Sequence, residues 1–441
     1  NITVTKTREQ INFYENNLLV FSTNQPIQTE EIIHIPFSQV NDPEKVLLLS
    51  GGFTEANKEL SKYNLEHIDY VEINPWLIKA EHQILQEALP EKVTVINQDA
   101  RYYIEHSRKK YDVVIINLPE PSTAQMNRFY THEFYHSLKK RLTPDAVISF
   151  SLSGSSNYLS EDTRTLYSSI YSTLKKNFNH VKIIPANSNY FLASDNKLSY
   201  DVTQHIHAKN IQTKFVNKFY LDKRQLERRG KQITNLLNEE ATINRDFHPI
   251  TYLQKLRQWS SQFHFNYSIH LYIIAAGIIA ILFYVHPVNF TMFAGGYAGA
   301  SIEVILLIAF QVLHGYVFHL VGIIVTVFMA GLAVGTYYRS RIFKKISIRN
   351  FQHLQLAMIL FSALLPLILI LLREIHFPPI VMQSLFMLLM FLTSLMVGML
   401  FSFTSQLQIN KIVTIASGVY SIDLIGAAIG SFITTAYLIP R

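Results

Sequence analysis

Cysteine is absent from this sequence of 441 residues, and charged residues make up only 16% of it. Without cysteine there can be no disulfide bond, no thiolate metal site and no cysteine nucleophile, whereas a reducing and an oxidising compartment both remain possible. Charge is scarcest after Tyr267, where only eight of the 39 basic and three of the 32 acidic residues lie. Together with a hydrophobic content of 49%, this shift predicts a soluble part followed by a membrane part.

The soluble part is nearly neutral. Residues 1–266 hold the remaining 31 basic and 29 acidic side chains. Nucleic-acid binding usually requires a clustered basic surface, so we predict no nucleic-acid partner. The sequence begins with Asn1 and ends within an apolar segment. We therefore expect a fragment, a processed form or part of a longer protein, with room for flanking membrane segments.

Short apolar runs alternate with helical patterns through the first 200 residues. Residues 3–21 alternate polar and apolar side chains around a turn at Glu15–Asn17, which predicts a β-hairpin. The later alternation predicts a doubly wound parallel sheet with a last antiparallel strand. The predicted strands are 46–49, 70–73, 93–96, 113–116, 145–150, 181–185 and 190–193, and the predicted helices are 56–63, 75–89, 100–108 and 162–176.

The chain therefore divides into four predicted segments. They are a hairpin region (1–45), an α/β domain of the Rossmann type (46–200), a charged helical linker (201–266) and an all-α membrane bundle (267–441). Six stretches in the bundle approach the ~20 residues that span a bilayer. They are 268–285, 291–313, 317–338, 352–372, 380–403 and 412–439. Small residues at 295–300, 331–335 and 426–430 predict close helix packing.

The segment Val113–Tyr135 has the pattern of an active-site loop. Its apolar strand is followed by Asn117-Leu118-Pro119-Glu120-Pro121, where α/β folds place ligands. Upstream, VLLLSGG at 46–52, YVEIN at 70–74 and INQDARYYI at 96–104 occur in the same order as in one known family. On these motifs the first 200 residues resemble the spermidine synthase (aminopropyltransferase) family, which shares the methyltransferase fold. The membrane half resembles that of membrane-fused members.

This resemblance implies an adenosyl site and an amine site. Gly51 and Gly52 match the glycine turn, Glu72 the acid that accepts the ribose hydroxyls, and Asp99 the acid near the adenine. The implied donors are S-adenosylmethionine, its decarboxylated form or methylthioadenosine. No metal is implied. The substrate-side matches are Tyr130, Tyr135 and His34.

The reacting end departs from the family pattern. Phe53 stands where the family has the acid that holds the donor's amino group, Asn74 replaces an aspartate, and the loop's Asp-x-x-Asp-Pro begins with Asn117 and has Glu120 in the second position. Aminopropyl transfer needs a carboxylate that removes a proton from the attacking amine, and loss of such a base slows a reaction about 10²–10⁴-fold. Asn117 cannot act as this base, which leaves Glu120 as the one catalytic candidate.

Two acids, Glu303 and Asp423, lie within predicted membrane spans and are functional candidates. The loop Arg339–Arg349 carries five basic residues and should be cytoplasmic. Three predicted spans precede it, which places the soluble domain on the periplasmic or extracellular side of a bacterial-type inner membrane.

Three functions remain open. The first is a pseudoenzyme, a degenerate domain that serves as a scaffold in a membrane assembly, with lipid and with other subunits or a second copy as partners. The second is an active transferase that uses an S-adenosyl donor, with Glu120 as base and an amine or polyamine as acceptor. The third is a transport-like role for the membrane bundle, based on Glu303 and Asp423.

Overall fold

A computed structural model describes residues 2–261 apart from 88 and 155–158, together with 272, 276–277, 279, 287–315, 320–343, 347–375, 377–407 and 412–439. The chain divides into two compact units, Asn1–Trp259 and Ser260–Arg441. The first unit contains two sheets, and the second consists of helices.

A three-stranded antiparallel sheet begins the first unit. Its strands are β1 (Ile2–Thr7), β2 (Gln10–Glu15) and β3 (Leu18–Ser22), paired in sequence order. The predicted turn at Glu15–Asn17 is present, and Asn16 and Asn17 both adopt positive φ, which asparagine tolerates well. The two-stranded prediction was wrong by one strand, because Arg8 makes another positive-φ turn without glycine.

Seven strands form the main sheet. They are β4 (Lys45–Leu49), β5 (His67–Val71), β6 (Val93–Ile96), β7 (Tyr111–Ile116), β8 (Leu142–Leu152), β9 (His180–Pro185) and β10 (Asn189–Ser194). Their spatial order is β6-β5-β4-β7-β8-β10-β9. Neighbours from β6 to β8 are parallel, and β10 is antiparallel to both β8 and β9. The sheet is therefore of the predicted methyltransferase-like class.

Helices cover both faces of this sheet. They are α1 (Pro26–Phe37), α2 (Thr54–Leu60), α3 (Pro75–Leu85), α4 (Ala100–His106), α5 (Ala124–Asn127), α6 (His132–Lys139) and α7 (Glu161–Lys175). The strands β4 and β7 carry apolar side chains to two separate hydrophobic cores, one on each face. This explains their near-continuous apolar sequences, since strands of a parallel sheet are buried on both sides.

Helix α1, like the short helices α5 and α6, is not predicted by the sequence pattern. Its two acids are buried because they accept backbone N–H groups from distant segments. Glu30 accepts from Lys214, Phe215 and Val216 at 2.7–2.8 Å, and Glu31 accepts from Asn187 at 3.1 Å. A buried acid satisfied from elsewhere in the chain leaves no apolar periodicity in the sequence.

Residues 201–259, which the sequence predicts as a linker, fold against the sheet domain within the same compact unit. The segment forms α8 (Val202–Ala208), α9 (Lys223–Leu236) and α10 (Ile250–Ser261). Helix α9 contacts β9. Gln254 and Gln258 on α10 donate to Ser169 and Thr163 of α7 at 2.8 and 2.7 Å.

The second unit contains five helices in its described residues. They are α11 (Pro287–His314), α12 (Val321–Ile342), α13 (Ile348–Glu374), α14 (Pro379–Leu407) and α15 (Ile412–Ile433), and a π-helical turn (Thr434–Leu438) follows α15. The first four contain spans long and apolar enough to cross a membrane, whereas Gly418–Ile433 within α15 is shorter. Of the six predicted spans, four are thus confirmed by length and composition, and the first (268–285) lies mostly outside the described residues. The four helices are compatible with an integral membrane protein.

The predicted small-residue contacts are confirmed. Backbone or side-chain atoms of a neighbouring helix lie where a Cβ would be at seven positions in the described residues. These are Gly296, Gly426 and Gly430 between α11 and α15, Gly331, Gly335 and Gly398 between α12 and α14, and Gly299 between α11 and α14. Helices that approach this closely can pack without large side chains between them.

Arg339 is not in a loop, contrary to the sequence interpretation. Helix α12 continues to Ile342, and Arg339 is 3% exposed. Its guanidinium donates to Ser402 at 3.2 Å and to Gln406, and lies over the ring of Phe403. One of the five charges counted for the positive-inside rule is thus buried between helices.

Candidate active site

A left-handed turn follows β4 at the carboxyl edge of the sheet. Ser50, Gly51 and Gly52 have φ of +60°, +86° and +78°. A Cβ at Gly51 would overlap the side chain of Asn117, and one at Gly52 would lie 2.6 Å from the ring of Phe21. The two glycines are therefore required both by backbone conformation and by close approach of other residues.

A pocket of about 230 Å³ opens beside this turn. It lies between β3, α1, the glycine turn and the start of α2. Its wall includes Phe21, Ser22, Gly51, Gly52 and Asn117. Glu72, Asp99 and Glu120 are not part of the wall. The structure thus brings two of the predicted cofactor residues together with Asn117 in one pocket wall, and these three acids lie outside that wall.

Glu72 is buried behind the turn. It is 2% exposed, and its two oxygens accept from the Ser50 hydroxyl at 2.7 Å and from the Asn74 N–H at 3.0 Å. Burial raises the pKa of this carboxyl, although both hydrogen bonds act in the opposite direction. The hydroxyl that Glu72 binds in this structure is therefore the chain's own. Asn74 in turn caps α3 by accepting from the Trp76 N–H, and its amide donates to Glu15.

Asp99 stands at the N-terminus of α4. It accepts from the N–H groups of Arg101 and Tyr102, both at 3.1 Å, and forms an ion pair with the guanidinium of Arg128. Arg128 is 2% exposed and also lies over the ring of Phe129. Asp99 is thus a helix cap and the partner of a buried cation.

The loop residues Asn117 and Glu120 point to different partners. The amide of Asn117 donates to the carbonyl of Gly51 at 3.4 Å, so an N–H group faces the glycine turn where a base would carry an oxygen. Glu120 forms an ion pair with Lys255 of α10 and accepts from the Ser153 N–H. The one remaining carboxylate of the loop is therefore held by a cation from a segment 135 residues away.

The three predicted substrate residues lie in the protein interior. Tyr130 donates to the carbonyl of Pro119, in the loop after β7, at 3.1 Å. Tyr135 packs in the hydrophobic core. His34 bonds Tyr63 at 2.6 Å and Glu59 at 2.7 Å. None of the three belongs to the wall of the pocket.

The sequence places Phe53 at the position of the missing donor acid but does not reveal what surrounds it. Phe53 is 2% exposed and packs against Tyr70 with ring centroids 5.4 Å apart. Its N–H and that of Thr54 donate to Glu81 at 2.9 and 2.7 Å. The buried carboxylate of Glu81 thus caps α2, which would otherwise present free N–H groups to an anion. Burial raises the pKa of this carboxyl.

Glu81, Arg128 and Lys255 are the site residues that sequence reasoning missed. An arginine between Asn127 and Phe129 in a largely apolar segment is a weak signal of a buried ion pair. For Glu81 and Lys255 the sequence gives no signal, because their partners are 27 and 135 residues away.

The two membrane acids are both half-buried in the second unit. Asp423 lies on α15 against Gly296 of α11, where its Oδ1 would be 2.6 Å from a Cβ. Glu303 lies on α11, seven residues after Gly296 and so on the same face of that helix. Within the described residues, the Oδ1 atom of Asp423 is buried and has no hydrogen-bond partner.

Comparison with known proteins gives matches to part of this chain. The spermine/spermidine synthase domain matches residues 25–194. The polyamine aminopropyltransferase of Oceanobacillus iheyensis is 33% identical over 156 residues, which cover 33% of this chain and 30% of that protein. Polyamine aminopropyltransferase 2 of Aquifex aeolicus is 31% identical over 183 residues, covering 40% and 36%. The chain thus spans about a third of the length of these relatives.

Among solved structures, a spermidine synthase in complex with the transition state analogue AdoDATO is similar to this chain. The similar region covers 54% of this chain and 85% of the solved chain, with 18% sequence identity and a TM-score of 0.45. The similarity to the Thermotoga maritima spermidine synthase covers 50% of this chain and 82% of the solved chain, with 17% sequence identity and a TM-score of 0.40. The segment 25–194 thus matches a spermine/spermidine synthase domain, and four long apolar helices follow it in this chain.

Proposed function

We propose that the spermidine synthase domain of this protein is catalytically degenerate and serves as a scaffold in a membrane assembly. The observation that carries the proposal is the amide of Asn117, which donates to the Gly51 carbonyl at the position of the expected base. An amide cannot remove a proton from an amine, and without such help aminopropyl transfer is slowed about 10²–10⁴-fold.

The acids that remain support the same conclusion. Glu120 is the only other candidate base of the loop, and it is ion-paired with Lys255. The Lys255 ammonium and the Ser153 N–H each contact one oxygen of this carboxylate, so an attacking amine would have to compete with them for Glu120. The geometry therefore supports a domain whose acids stabilise its own fold.

The side chains as placed do not fit an adenosyl group. Glu72 is 2% exposed and already accepts the Ser50 hydroxyl, and Asp99 is paired with Arg128. Phe53 offers no carboxylate to a donor's amino group. A nucleoside would have to displace two internal contacts, Ser50–Glu72 and Arg128–Asp99, before it reached the two acids.

The activity test uses the full-length protein in detergent, with putrescine and either decarboxylated S-adenosylmethionine or S-adenosylmethionine. We expect no aminopropylated or methylated amine above the protein-free background by mass spectrometry. Glu120→Gln is the informative variant, and Glu91→Gln, which changes an exposed carboxylate, is its matched control. A product that is lost in the first variant and kept in the second would establish the active transferase instead.

Ligand binding is tested separately by titration calorimetry with S-adenosylmethionine, its decarboxylated form and methylthioadenosine. We expect no heat from any of the three. Binding without turnover would keep the domain non-catalytic and would make it a nucleoside-binding module.

For the scaffold role, native mass spectrometry of the complex extracted in mild detergent should show a further subunit or a second copy. A monomer alone would contradict this part of the proposal.

We place the soluble unit on the periplasmic or extracellular side. The support is the basic segment around Arg341 and Arg349, now without the buried Arg339. The absence of cysteine permits a direct test with single cysteines and an impermeant maleimide in intact cells. Phe219→Cys, at a site 88% exposed, should react, whereas Ile348→Cys, 66% exposed at the start of α13, should react only after permeabilisation. The reverse pattern would place the domain in the cytoplasm.

A further inference from the structure

The seam between α11 and α15, continued by the π-helical turn, contains all the buried side-chain oxygens without a hydrogen-bond partner in the described part of the second unit. They are Ser301 Oγ, Asp423 Oδ1 and Thr434 Oγ1. Ser301 is 7% exposed and Thr434 is fully buried. A polar group in hydrocarbon without a partner is strongly unfavourable, and polar groups kept there are candidates for function.

Other serine and threonine side chains in these helices do not share this property. Many donate to the carbonyl four residues earlier, the usual solution in an apolar environment. Thr435, the direct neighbour of Thr434, donates in this way to Ser431 at 2.8 Å, and Ser362 donates to Met358 at 2.8 Å. The orphaned hydroxyls are therefore specific to this seam and are not a general property of the helices.

The three oxygens follow one line along the seam. Asp423 lies against Gly296, and the Oγ of Ser301 lies 3.0 Å from where a Cβ of Gly430 would be. Asp423 lies opposite Gly296 and Gly430 lies opposite Ser301, so residue numbers increase in the same direction along both helices. The two helices therefore run parallel. Thr434 follows Asp423 by eleven residues, about 16 Å along a helix axis. It begins the π-helical turn, which contacts α11, and π-helical turns are frequent at functional sites.

Few other charges surround this line. Glu303 is the second acid of α11 and lies on the face of Gly296. Helix α14, which packs against α11 and α15, contains no Asp, Glu, Lys or Arg. Helix α13, which also contacts α11, carries its charges near its ends, at Arg349, Arg373 and Glu374. Within the described residues, no basic side chain is placed to neutralise Asp423.

We propose that the α11–α15 seam conducts protons, with Asp423 as the group that carries them and with Ser301 and Thr434 as hydroxyl relays through intervening water. A proton binds the Asp423 carboxylate to give the acid and then leaves to a water or hydroxyl oxygen, which restores the carboxylate. Only O–H bonds form and break, and nothing is oxidised or reduced. This activity is independent of the proposed role of the soluble unit.

The test uses full-length protein in liposomes with a trapped pH-sensitive dye, valinomycin for charge compensation and an imposed pH gradient. We expect proton entry clearly faster than in protein-free liposomes. Asp423→Asn should reduce the protein-dependent rate by about 10²-fold, the lower range for loss of a positioned proton-transfer group. Ser301→Ala and Thr434→Val should each reduce it by about tenfold, since water replaces a lost relay only partly.

Two substitutions serve as matched controls. Thr435→Val and Ser362→Ala remove the same chemical groups from hydroxyls that are already bonded to backbone, and they should leave the rate unchanged. Equal loss in Thr434→Val and Thr435→Val would overturn the proposal, as would a protein-free rate in the unmodified protein or an unchanged rate in Asp423→Asn. A parallel experiment with a Na⁺ gradient and a Na⁺ dye distinguishes the ion. Sodium entry without proton entry would also overturn it. Elution as the same single species in detergent shows that each variant is folded.

Discussion

Asp99→Asn should destabilise the soluble unit much more than Arg128→Met does. The carboxylate of Asp99 has two roles, as the cap of α4 and as the partner of the Arg128 guanidinium. Asparagine caps helices as well as aspartate does, so this substitution retains the cap and removes only the negative charge. The buried cation of Arg128 then loses the carboxylate beside it.

The magnitudes follow from burial. Removal of one partner from a buried ion pair is unfavourable by about 3–5 kcal/mol, and the side chain of Arg128 is 1% exposed. Methionine at 128 removes the cation itself and keeps much of the packing volume. The Asp99 side chain, 13% exposed, then still accepts two backbone N–H groups. We expect a loss of about 1 kcal/mol, mainly the cation–π contact with Phe129.

A double-mutant cycle tests this reasoning. The variant with both substitutions should be about as stable as Arg128→Met alone, which corresponds to a coupling energy of about 3–5 kcal/mol. Pulse proteolysis over a urea series reports the folded fraction of the soluble unit in the full-length protein. A loss below about 1 kcal/mol for Asp99→Asn, or additive losses, would refute the structural role of the pair. Methylthioadenosine should leave the urea midpoint unchanged, whereas binding at 100 times its dissociation constant would add about 2.7 kcal/mol.

Three further predictions concern the same unit. Gly51→Ala should lower the free energy of unfolding by about 2–5 kcal/mol, because alanine is strained at φ +86° and its Cβ overlaps Asn117. Glu81→Ala should lower it by about 2–5 kcal/mol by leaving the Phe53 and Thr54 N–H groups without an acceptor, and Glu81→Gln by about 1 kcal/mol; similar values for both variants would contradict the cap. Burial raises the pKa of Asp69, but hydrogen bonds from Tyr111, Lys109, His67 and Tyr103 outweigh it and hold this pKa below its usual 3.8. The contribution of Asp69 to stability is therefore present above pH 3.8 and is lost as the pH falls through the pKa of the folded state. The stability difference between the unmodified protein and Asp69→Asn should therefore shrink on acidification, and a difference that is constant with pH would contradict the assignment.

The sheet is predictable from the sequence because it depends on local pattern. The run Val93–Ile96 is a strand with the predicted bounds, and Val113–Ile116 is the buried end of β7. Buried parallel strands are apolar throughout, and the glycine turn after β4 requires residues that tolerate positive φ. Both requirements act on neighbouring residues, so they leave a trace in the sequence.

The site is predictable only in part, because its electrostatics depend on residues far apart in the chain. The sequence identifies the changes at Phe53 and Asn117, which are substitutions at positions of known role in the family. It does not identify Lys255 as the partner of Glu120, nor Glu81 as the cap of α2, because no local rule links residues at such separations. The same limit applies to α1, where Glu30 is buried by backbone groups at 214–216.

The acids at the carboxyl edge of the main sheet and Asp423 in the second unit differ in their partners. In the first unit, Glu72, Asp99 and Glu120 all have partners supplied by the chain. In the second unit, the Oδ1 atom of Asp423 and the hydroxyls of Ser301 and Thr434 have no hydrogen-bond partner within the described residues, although partners matter more in an apolar environment. Side chains that need an external partner are the ones able to exchange it. The proposed structural role of the three edge acids and the proposed proton pathway along the α11–α15 seam both follow from this difference.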